Sequence, residues 1–536
     1  MLFSSIGFLY YFLPVTLFVY FIVPFKLKNL VLLIASLAFY FYGEPVYTFL
    51  MLGTSLSAYI HGLLIDRFRG TKWSRVFLCS SVIISVLVLG FFKYSDFFVS
   101  NLNNIFGSKL RLLGLALPIG ISFYTFQTLS YTIDVYRGDA KVQKNFISLA
   151  TYVALFPQLI AGPIVRYTVV EEELSSRTHS FGNFSYGVTR FAIGLGKKVL
   201  IADTLGALAT SLHAMTQQTV GGMWIYAIAV SLQIYFDFSG YSDMAIGLGR
   251  IFGFKFLENF NYPFISTTVA EFWRRWHISL GSWFRDYVYI PLGGNRVSLP
   301  RWGFNILAVW FLTGFWHGAD WNFIVWGLYF AVFLICEKFF LGAFFKKLPT
   351  VFSRIYLVVV ILISFVIFNG NGMNGVITDL AALFGIGRVS APAMASASAG
   401  MAARTLGAAS VTAAGMASEA VGALTSVAQA TTAAAASIAS ATATTTATAT
   451  AFASTMALPL WSAETSYYLS GYILILVVAI IGATPLCKNT ILKIKENEKA
   501  ARIINILEPV FVLMILMLAT AYFVDGSFSP FLYFRF

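Results

Sequence analysis

The sequence predicts an all-α protein, a polytopic bundle of transmembrane helices. Of its 536 residues, 58% are hydrophobic and 11% are charged, an apolar excess that a water-soluble fold does not bury. Several charge-free runs approach the roughly 20 residues that a helix needs to cross a bilayer. Because these runs are continuously apolar and do not alternate, they exclude a closed barrel. We expect about 11–13 membrane segments, some of them re-entrant.

The first five spans are expected at apolar runs that short polar loops separate. The first run lacks a basic n-region and a cleavage signal, so we expect a retained helix and not a signal peptide. The loops after the first, third and fifth spans are basic, and positive loops stay in the cytoplasm, which places the N-terminus outside. The five runs are 1–23, one from 30 to 42 and beyond, one that ends at 66, one that ends at 92, and 113–135.

The stretch LFPQLIAGPIVRY (155–167) is apolar but interrupted by Pro157, Gly162 and Pro163. Proline and glycine break helices, and irregular backbone at membrane depth persists only where protein or water satisfies its polar groups. We therefore expect a bent or re-entrant segment that lines a cavity.

Two aspartates lie in the apolar setting of YFDFSGYSD. Asp237 and Asp243 either make helix-end or interhelical hydrogen bonds, or they line the same cavity as the broken segment, since buried charges in a membrane protein need a partner or water. The remaining spans are expected at 186–202, 223–249, 323–336, 355–368, 472–484 and 506–523.

Residues 389–458 differ from the rest of the chain because they are largely Ala, Ser, Thr and Gly. So few large apolar side chains do not offset the entropy of ordering, and we expect a disordered, extracytoplasmic insert without a catalytic role. The chain is thus expected to comprise a transmembrane core at 1–388, the insert at 389–458, and the last two helices of the core at 459–536.

The net charge of +13 is explained by Lys and Arg in cytoplasmic loops. We do not expect nucleic-acid binding, because no basic helix or aromatic-interleaved groove occurs outside those loops. Cys79, Cys336 and Cys487 are far apart and show no CxxC spacing, which argues against a disulfide framework or a thiolate metal site.

The stretch 264–326 embeds many ionisable residues among tryptophans and phenylalanines, and such residues are functional candidates because they are costly in a membrane. Its first part is interpreted as an amphipathic helix. Arg274, Arg275 and Arg285 either anchor this helix to lipid headgroups or line a site for a phosphate-rich donor, since guanidinium forks match phosphate oxygens. The Gly-Gly turn of IPLGGNR lacks a phosphate-loop pattern and is interpreted as an ordinary turn.

The WHGAD motif places His317 and Asp320 three residues apart, so that on a helix their side chains share a face. The carboxylate would orient the imidazole, and a histidine can take a proton from a hydroxyl. The alternative is a histidine that bridges two helices by hydrogen bonds. His277 upstream favours a functional site. Two histidines without a third ligand make a poor zinc site and nothing indicates haem, so we expect no metal and no bound cofactor.

Five long blocks together resemble one family. They resemble the membrane-bound O-acyltransferase family, in its bacterial branch that contains the alginate O-acetyltransferase membrane subunit. The resemblance covers roughly 1–368 and the last two spans, and the insert departs from it. The blocks are PIGISFYTFQTLSYTIDVYRG (118–138), LFPQLIAGPIVRY, IYFDFSGYSDMAIGLGRIFGF (234–254), RRWHISLGSWFRDYVYIPLGGNR (274–296) and LTGFWHGADWNFIVWGLY (312–329).

The resemblance implies a helix bundle with a central tunnel in the bacterial inner (cytoplasmic) membrane. It gives His317 the role of the essential histidine and His277 the companion position, whereas the orienting role of Asp320 is inferred from spacing alone. Similar proteins take an acyl group, usually acetyl, from a coenzyme A thioester. They pass it towards an extracytoplasmic acceptor, often through an SGNH-type acetyltransferase or esterase-like partner. The implied partners are acetyl-CoA, that protein, the lipid bilayer and an exopolysaccharide such as alginate.

Under this interpretation, coenzyme A phosphates meet Arg274, Arg275 or Arg285, while His317 acts as general base on the acceptor hydroxyl or briefly carries the acetyl group. A rival interpretation is a transporter of acyl or glycan units that forms no bond, since broken helices and buried charges fit it too. A third is an O-acyltransferase with a lipid, teichoic acid or protein acceptor, although RDYVYIPLGGNR is more similar to the polysaccharide-acetylating branch.

Overall fold

The computed structural model describes residues 3–160, 162–388 and 455–526, and every statement below concerns those ranges. The expected insert at 389–458 lies outside the described residues except for its last four. The domain boundaries at both ends of the insert therefore stay predictions.

Over the described residues the chain is helical apart from two short strands, so the all-α prediction is confirmed. The helices of the first half are α1 (Leu13–Ile22, after a π-helical turn at Gly7–Phe12), α2 (Phe25–Phe41), α3 (Pro45–Arg67), α4 (Lys72–Phe106), α5 (Ile121–Arg137), α6 (Phe146–Ala154), α7 (Phe156–Leu159), α8 (Tyr167–Ser175), α9 (Phe181–Gly196, continued by a π-helical turn at Lys197–Ala202), α10 (Asp203–His213) and α11 (Val220–Ile251).

The second half begins with short pieces and ends with long helices. Its elements are a 3₁₀ turn (Pro263–Ile265), α12 (Val269–Arg275), α13 (Ile278–Phe284, continued by a π-helical turn at Arg285–Tyr289), α14 (Leu299–His317), α15 (Trp321–Cys336, continued by a π-helical turn at Glu337–Leu341), α16 (Gly342–Phe345), α17 (Thr350–Asn369), α18 (Gly372–Leu383), β1 (Ile386–Arg388), β2 (Thr455–Ala457), α19 (Ala463–Gly482), α20 (Leu486–Lys495) and α21 (Glu498–Val524). The two strands pair antiparallel, with Gly387 opposite Met456.

Within the described ranges, seven helices are long and apolar enough to cross a membrane: α3, α4, α11, the run from α15 through α16, α17, α19 and α21. α1 with its π-helical turn is a shorter apolar helix. Other expected spans are interrupted or short. The span expected at 113–135, for example, is helical only from Ile121 onward.

The chain divides into two compact units. The larger contains the described residues up to Ala209, then Ala227–Met373, and those from Gly471 onward; the smaller contains Thr210–Tyr226 and the described residues between Asn374 and Ser470. All residues of the candidate site belong to the larger unit.

The basic loops after α3 and α5 meet at one end of the larger unit, which we call the basic end. Arg69 donates to the carbonyl oxygen of Val135 at 2.9 Å, and the Tyr59 hydroxyl donates to the carbonyl oxygen of Lys144 at 2.8 Å. By the rule that positive loops stay inside, this end is expected in the cytoplasm.

The broken segment after α6 is buried, and its interruption is confirmed. α7 spans only four residues, and the Phe156 N–H that begins it donates to the Ser36 hydroxyl at 3.1 Å. The Tyr152 hydroxyl donates to the carbonyl oxygen of Val165 at 3.0 Å. Side chains from neighbouring elements thus satisfy backbone groups that an unbroken helix would satisfy itself.

The two aspartates of α11 are paired, which confirms their interpretation as interhelical contacts. Asp243 accepts from Arg190 at 2.6 Å and from Lys197 at 2.7 Å. Asp237 lies 2.8 Å from Lys198. Because all three cations lie on α9 and its π-helical turn, these pairs with buried carboxylates fasten α9 to α11.

The expected single amphipathic helix after residue 264 is wrong. The chain instead forms α12, then α13, and then a π-helical turn, with a break at Trp276 and His277. The reason is local: His277 adopts a left-handed conformation with φ of 44°, which no continuous helix tolerates.

α14 and α15 form a close helical hairpin that presents His317 to the interior. A Cβ on Gly314 would overlap the carbonyl oxygen of Phe323, and a Cβ on Gly327 would overlap that of Trp310. Only glycine lets the two backbones approach this closely, as at other small-residue crossings in membranes.

We expect Gly314→Ala to destabilise the protein by about 1–3 kcal/mol, because the added methyl group overpacks the α14–α15 contact. The measurement is thermal unfolding of the purified protein in detergent. Gly303→Ala is the matched control on the same helix, since a Cβ there meets nothing within 4 Å. Equal unfolding temperatures for the two variants would show that the crossing is not tight.

Candidate active site

His317 is the last residue of α14, and its side chain is buried at 5% exposure. Its ring lies 4.9 Å from that of Trp316, 5.0 Å from that of Trp326 and 5.3 Å from that of Phe368, measured between ring centroids. These rings exclude water and lipid from most of the imidazole. A histidine in such a place is sheltered enough to act in proton or acyl transfer.

Two side chains of α4 hold the end of α14. Lys93 Nζ donates to the carbonyl oxygens of Trp316 at 2.5 Å and His317 at 3.1 Å. The Tyr94 hydroxyl donates to the carbonyl oxygen of Phe315 at 2.7 Å, and the two rings stack 4.0 Å apart. The last carbonyl oxygens of a helix receive no hydrogen bond from the N–H groups of that helix. Lys93 and Tyr94 supply donors to the last three of α14.

Asp320 does not share a helix with His317, contrary to the spacing argument. α14 ends at His317, and Asp320 is the N-cap of α15, where its carboxylate accepts from the Trp321 N–H at 2.6 Å. An aspartate at an N-cap stabilises the helix it precedes. The orienting role of Asp320 stays a prediction, and the hydrogen bond to the Trp321 N–H is a capping contact.

His277 lies between α12 and α13 and is 1% exposed. The Oδ1 atom of Asn259 accepts from the Ser279 N–H at 3.1 Å and lies 3.2 Å from His277 Nδ1, which assigns the proton of the neutral ring to Nδ1. The His277 ring lies 6.3 Å from that of Trp316, and His317 lies against the same indole. The two predicted histidines therefore flank one aromatic ring.

A small cavity of about 70 Å³ reaches His317, and we call it the distal cavity. Lys93 lies 21 positions after Lys72, the first residue of α4, which corresponds to roughly 30 Å of helix away from the basic end. The distal cavity is lined by Lys93, Leu117, Pro118, Ile119, Gly120, Ile121, Ser122, Phe123, Ile160, Trp316 and His317.

A second cavity, of about 440 Å³, is lined by Arg274 and Arg285 and is called the basic-end cavity. It lies near the basic end because Arg137, the last residue of α5, donates to the carbonyl oxygen of Asp286 at 3.3 Å. Its other lining residues are Ala270, Trp273, Ile278, Leu280, Gly281, Ser282, Phe284, Tyr289, Ile306, Val309, Trp310 and Thr313.

The three predicted donor-binding arginines are in different surroundings. Arg275 pairs with Glu271 at 2.9 Å and does not line the basic-end cavity. Arg285 forms a two-pronged pair with Asp286, which also accepts from Arg166 at 2.8 Å. Burial raises the pKa of the Asp286 carboxyl, but hydrogen bonds from Arg285 and Arg166 outweigh burial and lower it below its usual value. Asp286 therefore stays ionised and orients Arg285.

Tryptophan rings connect the two cavities. The Trp273 ring, which lines the basic-end cavity, lies 4.7 Å from that of Trp310 and 5.6 Å from that of Trp326. Trp326 in turn lies against His317, which lines the distal cavity. These indole rings, which we call the ring layer, thus form a chain of contacts from the lining of the basic-end cavity to His317.

The remaining histidines have structural partners. His61 lies 3.1 Å from the Ser80 hydroxyl, His179 lies 2.9 Å from the Tyr20 hydroxyl, and His213 pairs with Asp379 at 3.0 Å. Over the described residues, no group of three or more His, Cys, Asp or Glu side chains is arranged to hold a metal ion.

Sequence reasoning missed Lys93 and Asn259. The predicted fourth span ends at residue 92, just before Lys93. In the structure, α4 continues to Phe106, so Lys93 lies within the helix. The sequence did carry a signal, because apolar residues resume after Lys93. A single lysine inside a membrane span is a functional candidate. Asn259 gave no signal, since its role depends on a partner 18 positions away.

Fold and site together define a multi-pass membrane protein with two buried histidines, of which His317 lies between two cavities, the layout of a transmembrane group-transfer enzyme. Comparison with known proteins agrees. Residues 139–377 match the sequence profile of the membrane-bound O-acyltransferase family.

Similar proteins extend this match over most of the chain. A probable alginate O-acetylase of Pseudomonas aeruginosa is 44% identical over 395 residues, covering 72% of this chain and 75% of the relative. One of Azotobacter vinelandii is 41% identical and covers 72% and 79%. A peptidoglycan O-acetyltransferase of Helicobacter pylori is 34% identical and covers 73% and 81%. The chain belongs to the membrane-bound O-acyltransferase family and is an O-acyltransferase, as the resemblance predicted.

We expect Asn259→Ala to destabilise the turn at His277 by roughly 1–3 kcal/mol, because the buried Ser279 N–H and the His277 ring would lose their shared acceptor. Thermal unfolding in detergent and acyltransferase activity are the measurements. Asn261→Ala is the control, because that side chain is exposed. If both variants behave like the parent protein, Asn259 does not fix the turn.

Proposed function

We propose that the enzyme takes an acetyl group from acetyl-CoA in the cytoplasm and delivers it across the bacterial inner membrane for O-acetylation of an extracytoplasmic polysaccharide. Similar proteins are named for the acetylation of alginate and of peptidoglycan, which supports a glycan acceptor. The resemblance in the block RDYVYIPLGGNR adds support for the polysaccharide-acetylating branch.

The observation that carries the proposal is the position of His317 between two unlike cavities. Arg274 and Arg285 line the larger cavity at the basic end, where a cytoplasmic donor with several phosphates would bind. His317 lines the distal cavity far from the basic loops, where an extracytoplasmic hydroxyl would arrive. Donor and acceptor would thus approach one histidine from opposite sides.

The proposed transfer breaks the C–S bond of the thioester and forms a C–O bond to the acceptor. In one route, His317 takes the proton of the acceptor hydroxyl, the oxygen attacks the carbonyl carbon, and the proton ends on the coenzyme A thiolate. In the other, His317 attacks first and carries the acetyl group until the hydroxyl accepts it. Both routes leave free coenzyme A and an O-acetyl ester, and both need a dry site that does not hydrolyse the donor.

The small size of the distal cavity supports a protein intermediary. Sites that enclose a drug-sized ligand have about 300–1,000 Å³, whereas the distal cavity has about 70 Å³. Such a space suits one protruding hydroxyl more than a length of polymer. A serine of an SGNH-type acetyltransferase would meet this need and then pass the acetyl group to the polymer.

We expect His317→Ala to lower acetyl transfer by at least about 100-fold, the loss typical of removing a general acid–base or nucleophilic group. The assay uses inside-out membrane vesicles and radiolabelled acetyl-CoA, and it follows both free coenzyme A and base-labile acetyl esters.

His61→Ala is the matched control, because that histidine contacts Ser57 and Ser80 and lies in neither cavity. Unchanged acetyl ester formation by His317→Ala would refute the proposed role of His317. If the parent protein moves label into the vesicles but never releases coenzyme A, it is a transporter of acyl units instead.

We expect Arg274→Gln and Arg285→Gln each to raise the KM for acetyl-CoA by about 10-fold or more, since a hydrogen bond to a charged group contributes about 1.5–3 kcal/mol. The steady-state rate in the same vesicles is the measurement. With S-acetylpantetheine, which carries no phosphate, the variants and the parent should have equal KM values.

Arg275→Gln is the control, because Arg275 is paired with Glu271 and does not line the basic-end cavity. The assignment of the basic-end cavity to the donor fails if Arg275→Gln raises KM as much as the other two substitutions, or if the loss is the same with S-acetylpantetheine.

A further inference from the structure

α4 carries a lysine far from its basic start that the proposed chemistry does not use. Lys93 lies within a helix long and apolar enough to cross a membrane, where a charged side chain is costly. Among the ion pairs of the described residues, none gives Lys93 a carboxylate partner. Asp96, one turn further along α4, is bound instead to the backbone N–H groups of Leu113 and Gly114 at 2.7 and 2.8 Å.

The partners of Lys93 are oxygens at the end of the histidine helix. Its Nζ atom donates to the carbonyl oxygens of Trp316 and His317 at 2.5 and 3.1 Å, and to the Ser122 hydroxyl at 3.3 Å. An ammonium group has three N–H donors. All three therefore have an acceptor, and two of the three bonds reach the backbone on which His317 is carried.

A cation at this point is favourable for a general reason. The last carbonyls of a helix lack internal donors and carry a partial negative charge, which a cation stabilises. In most helices a residue of the same chain segment or water fills that role. Here α14 ends in the interior of the protein, so a side chain from another helix provides it.

Comparison with the neighbouring Tyr94 separates two effects on the end of α14: the charge of Lys93, and a hydrogen bond without charge. Its hydroxyl donates to the carbonyl oxygen of Phe315 at 2.7 Å, so it also fastens α14, but it is neutral. Lys93 and Tyr94 thus hold consecutive carbonyls of one helix end, and only Lys93 also lines the distal cavity with His317.

We propose that Lys93 is a positioning residue for the acyl transfer: its ammonium group fixes the last carbonyls of α14 and thereby the place of the His317 imidazole at the distal cavity. The inference rests on the proposed function, because it takes His317 as the group that acts. Lys93 acts through His317 and forms no bond with either substrate.

The test compares Lys93→Met and Lys93→Arg in the full-length protein, with the acetyl-CoA vesicle assay described above. Lys93→Met should lower kcat by roughly 10- to 100-fold, since a displacement of about 1 Å in a reacting group has effects of that size. The KM for acetyl-CoA should change by no more than about twofold, because Lys93 lies outside the basic-end cavity. Lys93→Arg, which keeps the charge, should recover most of kcat.

Two matched variants control for ordinary structural effects. Tyr94→Phe removes a neutral hydrogen bond to the same helix end and should lower kcat by only a few-fold, as a bond without charge contributes less. Lys72→Met removes an exposed lysine from the start of the same helix and should leave the kinetics unchanged.

Chemical rescue covers the case in which Lys93→Met does not fold. Lys93→Cys is purified and treated with 2-bromoethylamine. The introduced thiolate displaces bromide from the reagent and becomes an aminoethyl thioether close to lysine in length. Activity should rise at least about 10-fold on treatment. The parent protein, which has free cysteines at Cys79, Cys336 and Cys487, is treated in parallel and should show no gain.

The outcomes separate this inference from the proposed function. Full activity of Lys93→Met beside an inactive His317→Ala overturns the role of Lys93 and leaves that of His317 standing. A change confined to the KM of the acceptor overturns positioning and makes Lys93 an acceptor-binding cation. An active His317→Ala overturns the proposed function itself, whatever Lys93 does. Failure of the aminoethyl group to restore a folded Lys93→Cys protein also overturns the inference.

Discussion

The position of His317 depends on how the end of α14 is fastened. A helix that ends inside a membrane protein exposes carbonyl oxygens to an environment without water, and each unsatisfied group costs several kcal/mol. α4 removes this cost with Lys93 and Tyr94, which together bind the last three carbonyls. On the other side of the turn, Asp320 begins α15 by accepting from the Trp321 N–H. The imidazole thus lies between the end of α14 and the start of α15, and hydrogen bonds from or to side chains stabilise both helix termini.

The rest of the larger unit keeps charge away from this point or pairs it. Asp237 and Asp243 are neutralised by cations on α9 and its π-helical turn, and Asp286 is shared by two arginines at the basic end. Among the described residues, the arginine-lined cavity has more guanidinium groups than carboxylates around it, and Lys93 lies at the end of the histidine helix. Under the proposed function, a highly phosphorylated donor would bind at the first place, and the buried helix end is stabilised at the second.

The sequence allowed the class of fold and the main histidine to be predicted, because both depend on local patterns. Charge-free runs predict spans, and WHGAD within an aromatic stretch draws attention to His317. The features that escaped prediction are contacts between distant parts of the chain. Lys93 and His317 are 224 positions apart. The left-handed turn at His277 depends on Asn259, so the mixture of charged residues and tryptophans after 264 favoured a single helix that the structure does not have. The prediction that His317 and Asp320 share a helix face was wrong for a related reason. α14 ends at His317, and Asp320 caps the next helix, so the two residues do not belong to one helix.

The layer of indole rings between the two cavities resolves a conflict that any enzyme of this layout faces. A path wide enough for a thioester arm would also admit water and ions, and would dissipate the gradients that the membrane maintains. Trp273, Trp310 and Trp326 fill the space with rigid, largely apolar rings that pack at 4.7 to 5.6 Å and have few rotamers. Under the proposed function, the acetyl group, and not the whole donor, would have to pass this layer to reach His317.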